Sequence, residues 1–353
     1  MRLTRSDLIS TAAVVVVLLL VAFLADSSTV FLVAAAIPLA IAALGQDLVL
    51  NRAGQATFGG AALMAVGAFT VAKSQDLAWL PFPLPLVAAG VVGAVIGVII
   101  GLPGVRVRGL YLLLTTLALQ IIVQYAGQRI QGPNIAGIFI SVPEIGAYQV
   151  APGRPTLYLG AIVLALTVLV LRNLYATGPG RVWQVIRENE VAARVMGVPT
   201  VSWKLSAFVV SSVITAIGGG LFAYTTGNVS SEAFTLTLAI QVVVVVYVGG
   251  RRTLIGPMIG ALFVGYGPNL LERLQSTGAL PAVARDWLTV NGGNLATAIY
   301  AVLLLVVFVL DPDGVVGLGQ RLRRFLRRTA DRPGVPAPGD SSTSTPLTTA
   351  DRP

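Results

Sequence analysis

The side chains able to do chemistry in this chain of 353 residues are few, and those missing exclude a great deal. Neither Cys nor His occurs, which removes disulfide frameworks, Cys/His zinc sites and nucleophiles activated by an imidazole. No Gly-Lys dipeptide occurs, so the phosphate-cradling G-x-x-x-x-G-K-[ST] loop is absent. Carboxylates are scarce inside the apolar runs: Asp47 falls late in one, and Glu232 and Glu272 fall near the ends of others. A buried carboxylate relay for proton or ion coupling is therefore disfavoured, although backbone carbonyls can also bind Na⁺. An enzyme embedded in a membrane would need acidic or nucleophilic groups converging at one depth, and none are found.

Two stretches place neutral polar groups among apolar ones. In Ala53–Gly60, AGQATFGG, the glycines suggest a helix break whose exposed backbone, with Gln55 and Thr57 beside Gly59 and Gly60, would meet a zwitterion. Along one later run, Tyr111, Thr115, Thr116 and Gln120 set hydroxyls and an amide at helical spacings. Helix packing through Ser, Thr and Gln hydrogen bonds accounts for both sets equally well.

A third stretch, VIRENEVAARVMGVPT (Val185–Thr200), is short, charged and helix-prone. Gln184, Glu188, Val191, Ala192 and Val195 fall at helical spacing, and Gly197 and Pro199 end the pattern, which predicts a pair of short surface helices. Ala192 and Ala193 give a shallow face, and Glu188, Glu190 and Arg194 a charged rim, as in helix-in-groove recognition. A helix lying on lipid would instead favour Lys and Arg on its polar face, and Glu188 and Glu190 argue against that.

These groups sit in a chain that is 55% hydrophobic and 11% charged, with a mean hydropathy of +0.83, the signature of an integral membrane protein. A helix crossing hydrocarbon needs about 20 mainly apolar residues. About ten candidates follow: Leu8–Leu24, Val30–Leu50, Ala56–Ala72, Leu84–Ile100, Leu110–Ala126, Leu157–Leu174, Trp203–Tyr224, the short Leu236–Val248, Leu254–Leu271 and Leu295–Leu310. The first resembles a signal peptide but lacks a clear cleavage site, so it reads as an uncleaved span. Segments after even-numbered spans carry Arg52, Arg106 with Arg108, then Arg172, Arg181, Arg187 and Arg194, then Arg251 with Arg252, then RLRRFLRR. Positive charge marks the cytoplasmic side, so both termini fall there. The opposite loops hold fewer such residues: Lys73, Arg129, Arg154, Arg273 and Arg285.

Glycines recur inside the spans, among them Gly67, Gly93, Gly97, Gly218, Gly219 and Gly220, which predicts close helix packing in a compact bundle. Residues 1–311 read as one transmembrane domain with a cytoplasmic loop over 175–202, and 312–353 as a tail, basic at first and then disordered. Arg321–Arg328 reads as a clamp on anionic membrane lipid, and the net charge of +9 as topology rather than nucleic-acid binding.

The run IRENEVAARVMGVPTVSWKLSAFVVSSVITAIGGGLFAYTTGNVSSEAFTL closely resembles the cytoplasmic loop and following span of LivM-type permease subunits of branched-chain amino-acid ABC importers. ALGQDLVLNRAGQATFGGAALMAVGAFTVA, RVRGLYLLLTTLALQII, QGPNIAGI and VVYVGGRRTLIGPMIGALFV extend the resemblance from the second span to the last. It implies an all-α permease of the type II ABC importer kind in the bacterial cytoplasmic membrane. Implied partners are a second, LivH-like permease, two cytoplasmic ATPases and an extracytoplasmic solute-binding protein. No cofactor is implied in this chain itself; ATP and Mg²⁺ belong to the ATPases. By position, Glu188, Asn189, Glu190, Ala192, Ala193 and Gly197 match the loop that docks on the ATPase, with Glu190 offering a carboxylate to basic ATPase residues. The chain departs from the pattern at Gly60, where an aromatic residue or His is frequent, and at Leu110 and Gln120, where acidic residues are common. Related permeases for urea, short amides or simple sugars are the alternative this leaves.

Overall fold

The computed structural model describes residues 27–276 apart from 79, 106–109, 135, 146–147, 150–152 and 251–252. Helix α1 (Ser27–Asp47) runs into a π-helical turn (Leu48–Arg52), and an irregular stretch then leads to α2 (Gly60–Ala78). There follow α3 (Leu84–Gly104), α4 (Leu110–Gln131), α5 (Arg154–Ala176), the short α6 (Gly178–Glu188) and α7 (Glu190–Val195), the long α8 (Thr200–Thr226), α9 (Leu236–Gly249) and α10 (Ile255–Ser276). Eight of the apolar runs therefore coincide with helices; Leu8–Leu24 and Leu295–Leu310 lie outside the described residues, as do both termini. Helices are the expected outcome, because hydrocarbon offers no partner to a backbone N–H or C=O.

Among the described residues, four helices are long and apolar enough to cross a membrane: Ser28–Arg52, Leu84–Gly104, Arg154–Ala176 and Thr200–Thr226. One run departs from its expected extent, and the short run Leu236–Val248 is found as short as expected. The run placed at Ala56–Ala72 becomes helical only at Gly60, because the stretch before it leaves the helix. At 14 residues α9 is about 21 Å long at 1.5 Å per residue, short of a roughly 30 Å hydrocarbon core, and it is not lengthened by its flanks.

Helix α8 is the centre of the bundle, packing against α1, α2 and α3, while α1 also meets α5, α9 and α10. The α2–α8 crossing is backbone on backbone. A Cβ at Gly67 would lie 1.8 Å from the Ala216 carbonyl oxygen, and one at Gly219 would lie 1.9 Å from that of Met64. Glycine is thus required at both positions for the close approach that drives helix association in lipid.

The connections sort to two ends of the bundle. At one, the exit from α1 meets the α5–α8 connection, through Arg187 and Asn51 and through Arg52 and Tyr175. At the other, β1 (Ile138–Phe139) pairs antiparallel with β4 (Asn228–Val229), next to a two-residue hairpin of β2 (Glu144–Ile145) and β3 (Tyr148–Gln149). Gln75 also hydrogen-bonds Ser141 there in both directions, at 3.1 and 3.0 Å. The two small ladders are the departure from an all-α chain among the described residues.

Candidate functional site

The first component is the break after α1. Gly54 takes a positive φ of 70°, open to glycine without steric cost, and the N–H of Gln55 returns to the Val49 carbonyl at 2.9 Å. The chain then turns back into the bundle. Gln46 donates to the Thr57 carbonyl at 2.5 Å, the N–H of Gly59 donates to Thr57 Oγ1 at 3.0 Å, and the N–H of Phe58 donates to Thr116 Oγ1 at 3.1 Å. Buried side chains thus satisfy backbone groups that the break releases. Gln55 is buried as well, and its Oε1 has no hydrogen-bond donor.

The second component enters from the opposite end. After α8 the chain passes β4 and a 3₁₀ turn (Ser231–Ala233) to reach Phe234, which is fully buried. The Ser231 N–H donates to Gln131 Oε1 at 2.8 Å, near the end of α4, whereas Gln120 Nε2, at that helix's middle, donates to the Phe234 carbonyl at 2.6 Å. The segment therefore descends along α4 to its midpoint, which explains why α9 needs only 14 residues. Phe69 and Phe222 hold the Phe234 ring, with centroids 6.3 and 5.5 Å away. Because the Phe234 oxygen can only accept, the Gln120 amide orientation is fixed, and its Oε1 is left buried without a donor. Thr116 and Gln120, one helical turn apart, so tie two irregular segments from opposite ends to one face of α4.

The third component is the α5–α8 connection. α6 follows α5 almost at once, and Gly180 faces the backbone of Tyr175, where a Cβ would lie 2.6 Å from Tyr175 Cα. Trp183 is buried and donates from Nε1 to the Trp203 carbonyl at 2.9 Å and to Ser206 Oγ at 3.2 Å, pinning α6 to α8. Asn189, extended at φ −155° and ψ 99°, separates α6 from α7 and caps α7 by accepting the Ala192 N–H at 3.0 Å. The α7 C-terminus is a Schellman motif: Gly197, at φ 79°, donates to the Arg194 carbonyl at 2.9 Å, and Val198 donates to that of Ala193 at 3.0 Å. Glu190 bridges Arg194 at 2.5 Å and Lys204 of α8 at 2.8 Å, and Arg194 Nε donates to Thr200 Oγ1 at 3.1 Å. The large apolar side chains exposed on α7 and at its C-cap are Val191, Val195 and Met196, with Val195 at 85% exposure, beside exposed Arg194.

Residues 28–310 match the family described as the branched-chain amino acid transport system / permease component. The chain belongs to that family. It is 29% identical over 261 residues to the high-affinity branched-chain amino acid transport system permease protein LivM of Salmonella typhimurium, covering 66% of this chain and 61% of that protein. It is 28% identical over 276 residues to the protein of the same name in Escherichia coli, covering 71% of this chain and 65% of that one. The ribose import permease protein RbsC of Haemophilus influenzae is 26% identical over 254 residues, covering 70% of this chain and 77% of its own length. The chain thus spans less than two thirds of the length of the two LivM relatives. No solved structure gives a significant match.

Within this permease component, the polar residues singled out in the sequence divide. Gln55, Thr57, Gly59 and Gly60 are all buried at the break, and Thr116 meets them through Phe58. Gly60 also faces α9: a Cβ there would lie 3.2 Å from Val242 Cγ1, so a larger residue would press on that helix. Tyr111 and Thr115 belong to the other face of α4. Tyr111 is 70% exposed, and Thr115 spends its hydroxyl on the Tyr111 carbonyl at 2.8 Å, within the helix. In the loop, the helical pattern from Gln184 to Val195 spans two helices, because Asn189 interrupts it. Ala192 is exposed but Ala193 is fully buried, so the two do not form one shallow face. The Glu190 carboxylate, expected to reach outward, is engaged within the chain.

The sequence does not single out Phe234, Gln46 or Trp183, and it marks Arg187 only as one of the charges of the cytoplasmic side. Phe234 had one legible signal, the short run at Leu236–Val248, since a half-length apolar helix implies that the chain before it is already deep.

Proposed function

We propose that this chain is a membrane-spanning permease subunit of an ATP-driven importer for branched-chain amino acids in the cytoplasmic membrane. The carrying observation is a folded connection, α6 and α7, with an outward apolar surface at the bundle end where the α1 break opens. In a member of this permease family with no phosphate-binding loop of its own, such a surface supports docking of a separate ATPase. Val191, Val195 and Met196 would enter a groove of that partner, while Glu190, Arg194 and Lys204 fix the angle of α7. A second permease would complete the transport path, two ATPases would hydrolyse ATP, and an external binding protein would deliver the solute.

About ten spans with both termini inside remain the reading for the whole chain, supported by the charge asymmetry and by the sorting of connections to two ends. The α4 face supports the solute path. Segments irregular at membrane depth are tolerated where protein buries them or where they line a cavity, and Gln55 Oε1 and Gln120 Oε1 are acceptors suited to an ammonium group.

The test is uptake of radiolabelled leucine, isoleucine and valine by proteoliposomes holding the complete complex and its binding protein, with ribose and urea as competitors. ATP-dependent uptake of the amino acids is expected. Uptake of ribose alone, as the resemblance to a ribose permease would allow, rejects the amino-acid assignment.

A further inference from the structure

The connection that carries α6 and α7, together with the last turn of α5 before it, grips the exit of α1 at two points. Arg187, on the last turn of α6, donates to the Asn51 carbonyl, and its stem lies against Gly54, where a Cβ would be 3.1 Å from Arg187 Cγ. In the last turn of α5, just before that connection, the Tyr175 ring centroid lies 4.4 Å from the Arg52 guanidinium. Both grips fall on the π-helical turn or its left-handed exit at Gly54, which is where α1 gives way to the irregular segment Ala53–Gly59.

The chemistry of this joint is specific. The last carbonyls of a helix have no partner within it, and a cation is favourable at that end of the helix dipole. Buried Asp47 accepts the Asn51 side-chain amide at 2.6 Å and faces the positive charges of Arg52 and Arg187. One side of Asn51 is therefore held by α1 itself, and its carbonyl by α6. Meanwhile α6 is a stiff body, anchored by Trp183 and by buried Ile186, and Arg187 precedes the break at Asn189 beyond which α7 projects.

The geometry points to Arg187 as the positioning residue that carries movement of the α6–α7 connection directly to the broken segment of the solute path. The route passes from α7 to α6, through Arg187 to Asn51 and Gly54, and on to Phe58 and Thr116. It bypasses the lengths of α5 and α8. Neither the family description nor the relatives' names assign a role to Arg187, and the inference rests on the importer reading above.

The test measures leucine uptake and ATP hydrolysis together in the reconstituted complex. Arg187→Ala should lower uptake per ATP at least about tenfold while hydrolysis stays within about twofold, and Arg187→Lys, which keeps a cationic donor, should recover most of the ratio. A second pair of variants substitutes a covalent link for the hydrogen bond. A Cβ at Gly54 would lie 3.5 Å from Arg187 Cβ, within disulfide range, and the chain has no Cys of its own. Gly54→Cys with Arg187→Cys should be uncoupled when reduced and recoupled on oxidation, whereas neither single variant should respond. The inference is overturned if Arg187→Ala keeps the wild-type ratio, if uptake and hydrolysis fall together in both Arg187 variants, or if the oxidised pair stays uncoupled although Gly54→Cys alone, at a positive φ, keeps the wild-type ratio. Absence of ATP-driven uptake in the unaltered complex would instead reject the importer reading.

Discussion

The Gln120 amide donates to the carbonyl of Phe234, 114 positions later in the chain, at 2.6 Å and wholly inside the bundle. This hydrogen bond ties the segment after α8 to the middle of α4, one turn from where Thr116 receives the Phe58 N–H. Replacing Gln120 with Leu keeps a side chain of similar size but removes the amide and leaves the Phe234 carbonyl buried and unpaired. A loss of about 1–3 kcal/mol in stability is expected from the unsatisfied acceptor. If the α4 face lines the solute path, uptake should fall well beyond that, by about tenfold at equal amounts of folded complex. Wild-type uptake per folded complex would remove Gln120 from the path and leave it as packing.

The α2–α8 crossing makes a sharper structural prediction. Gly219→Leu places side-chain atoms where the Met64 carbonyl already lies, so the helices must separate. Overpacking of this kind costs about 1–3 kcal/mol or more. The expected readouts are a lower melting temperature and a lower yield of monodisperse protein in detergent. Gly178→Ala is the control, since a Cβ at Gly178 meets nothing within 4 Å, and it should behave as wild type. Equal behaviour of the two variants would contradict the crossing.

How far this was legible in the sequence depends on the range of the forces involved. Apolar runs and glycine positions are local signals, so eight helices could be read directly, whereas the break at Ala53–Gly60 is one of two equal readings and the span at Ala56–Ala72 is drawn through it. Arg and Lys counts give an expected sidedness as well, which the labelling experiment below tests. Burial of Ala193, pairing of Glu190 with Lys204 and the reach of Arg187 to Asn51 are set by how α6 and α7 fold back on α1 and α8. No spacing rule within Val185–Thr200 encodes that. Tyr111 and Thr115 were grouped with Thr116 and Gln120 because their spacings looked alike, but α4 turns about 100° per residue and sends them to its outer face.

The surface of α7 separates two accounts of docking. If the apolar knob enters the ATPase, Val195→Glu should abolish co-purification of the ATPase subunit while leaving thermal stability within about 0.5 kcal/mol, as expected for an exposed position. Glu190→Gln should act more weakly, since its ion pairs are partly exposed and each contributes about 1 kcal/mol or less. The reverse ranking, with Glu190→Gln losing the ATPase and Val195→Glu keeping it, would restore the carboxylate as the docking group.

Sidedness can be checked on the same molecule, because a chain without Cys accepts single reporter thiols with no background. Met196 caps the C-terminus of α7 at the end where Arg187 meets Asn51, and Phe139, 75% exposed on β1, lies at the opposite end. With the charge-rich connections inside, Met196→Cys should react with a membrane-impermeant maleimide only in inside-out vesicles, and Phe139→Cys only in intact right-side-out ones. Both substitutions fall at exposed positions, so the fold should tolerate them. Labelling of both thiols from one side would break the assignment of the two bundle ends to opposite faces of the membrane. Exchange of their sides would keep the bundle but invert it, leaving the docking surface on the face without ATP.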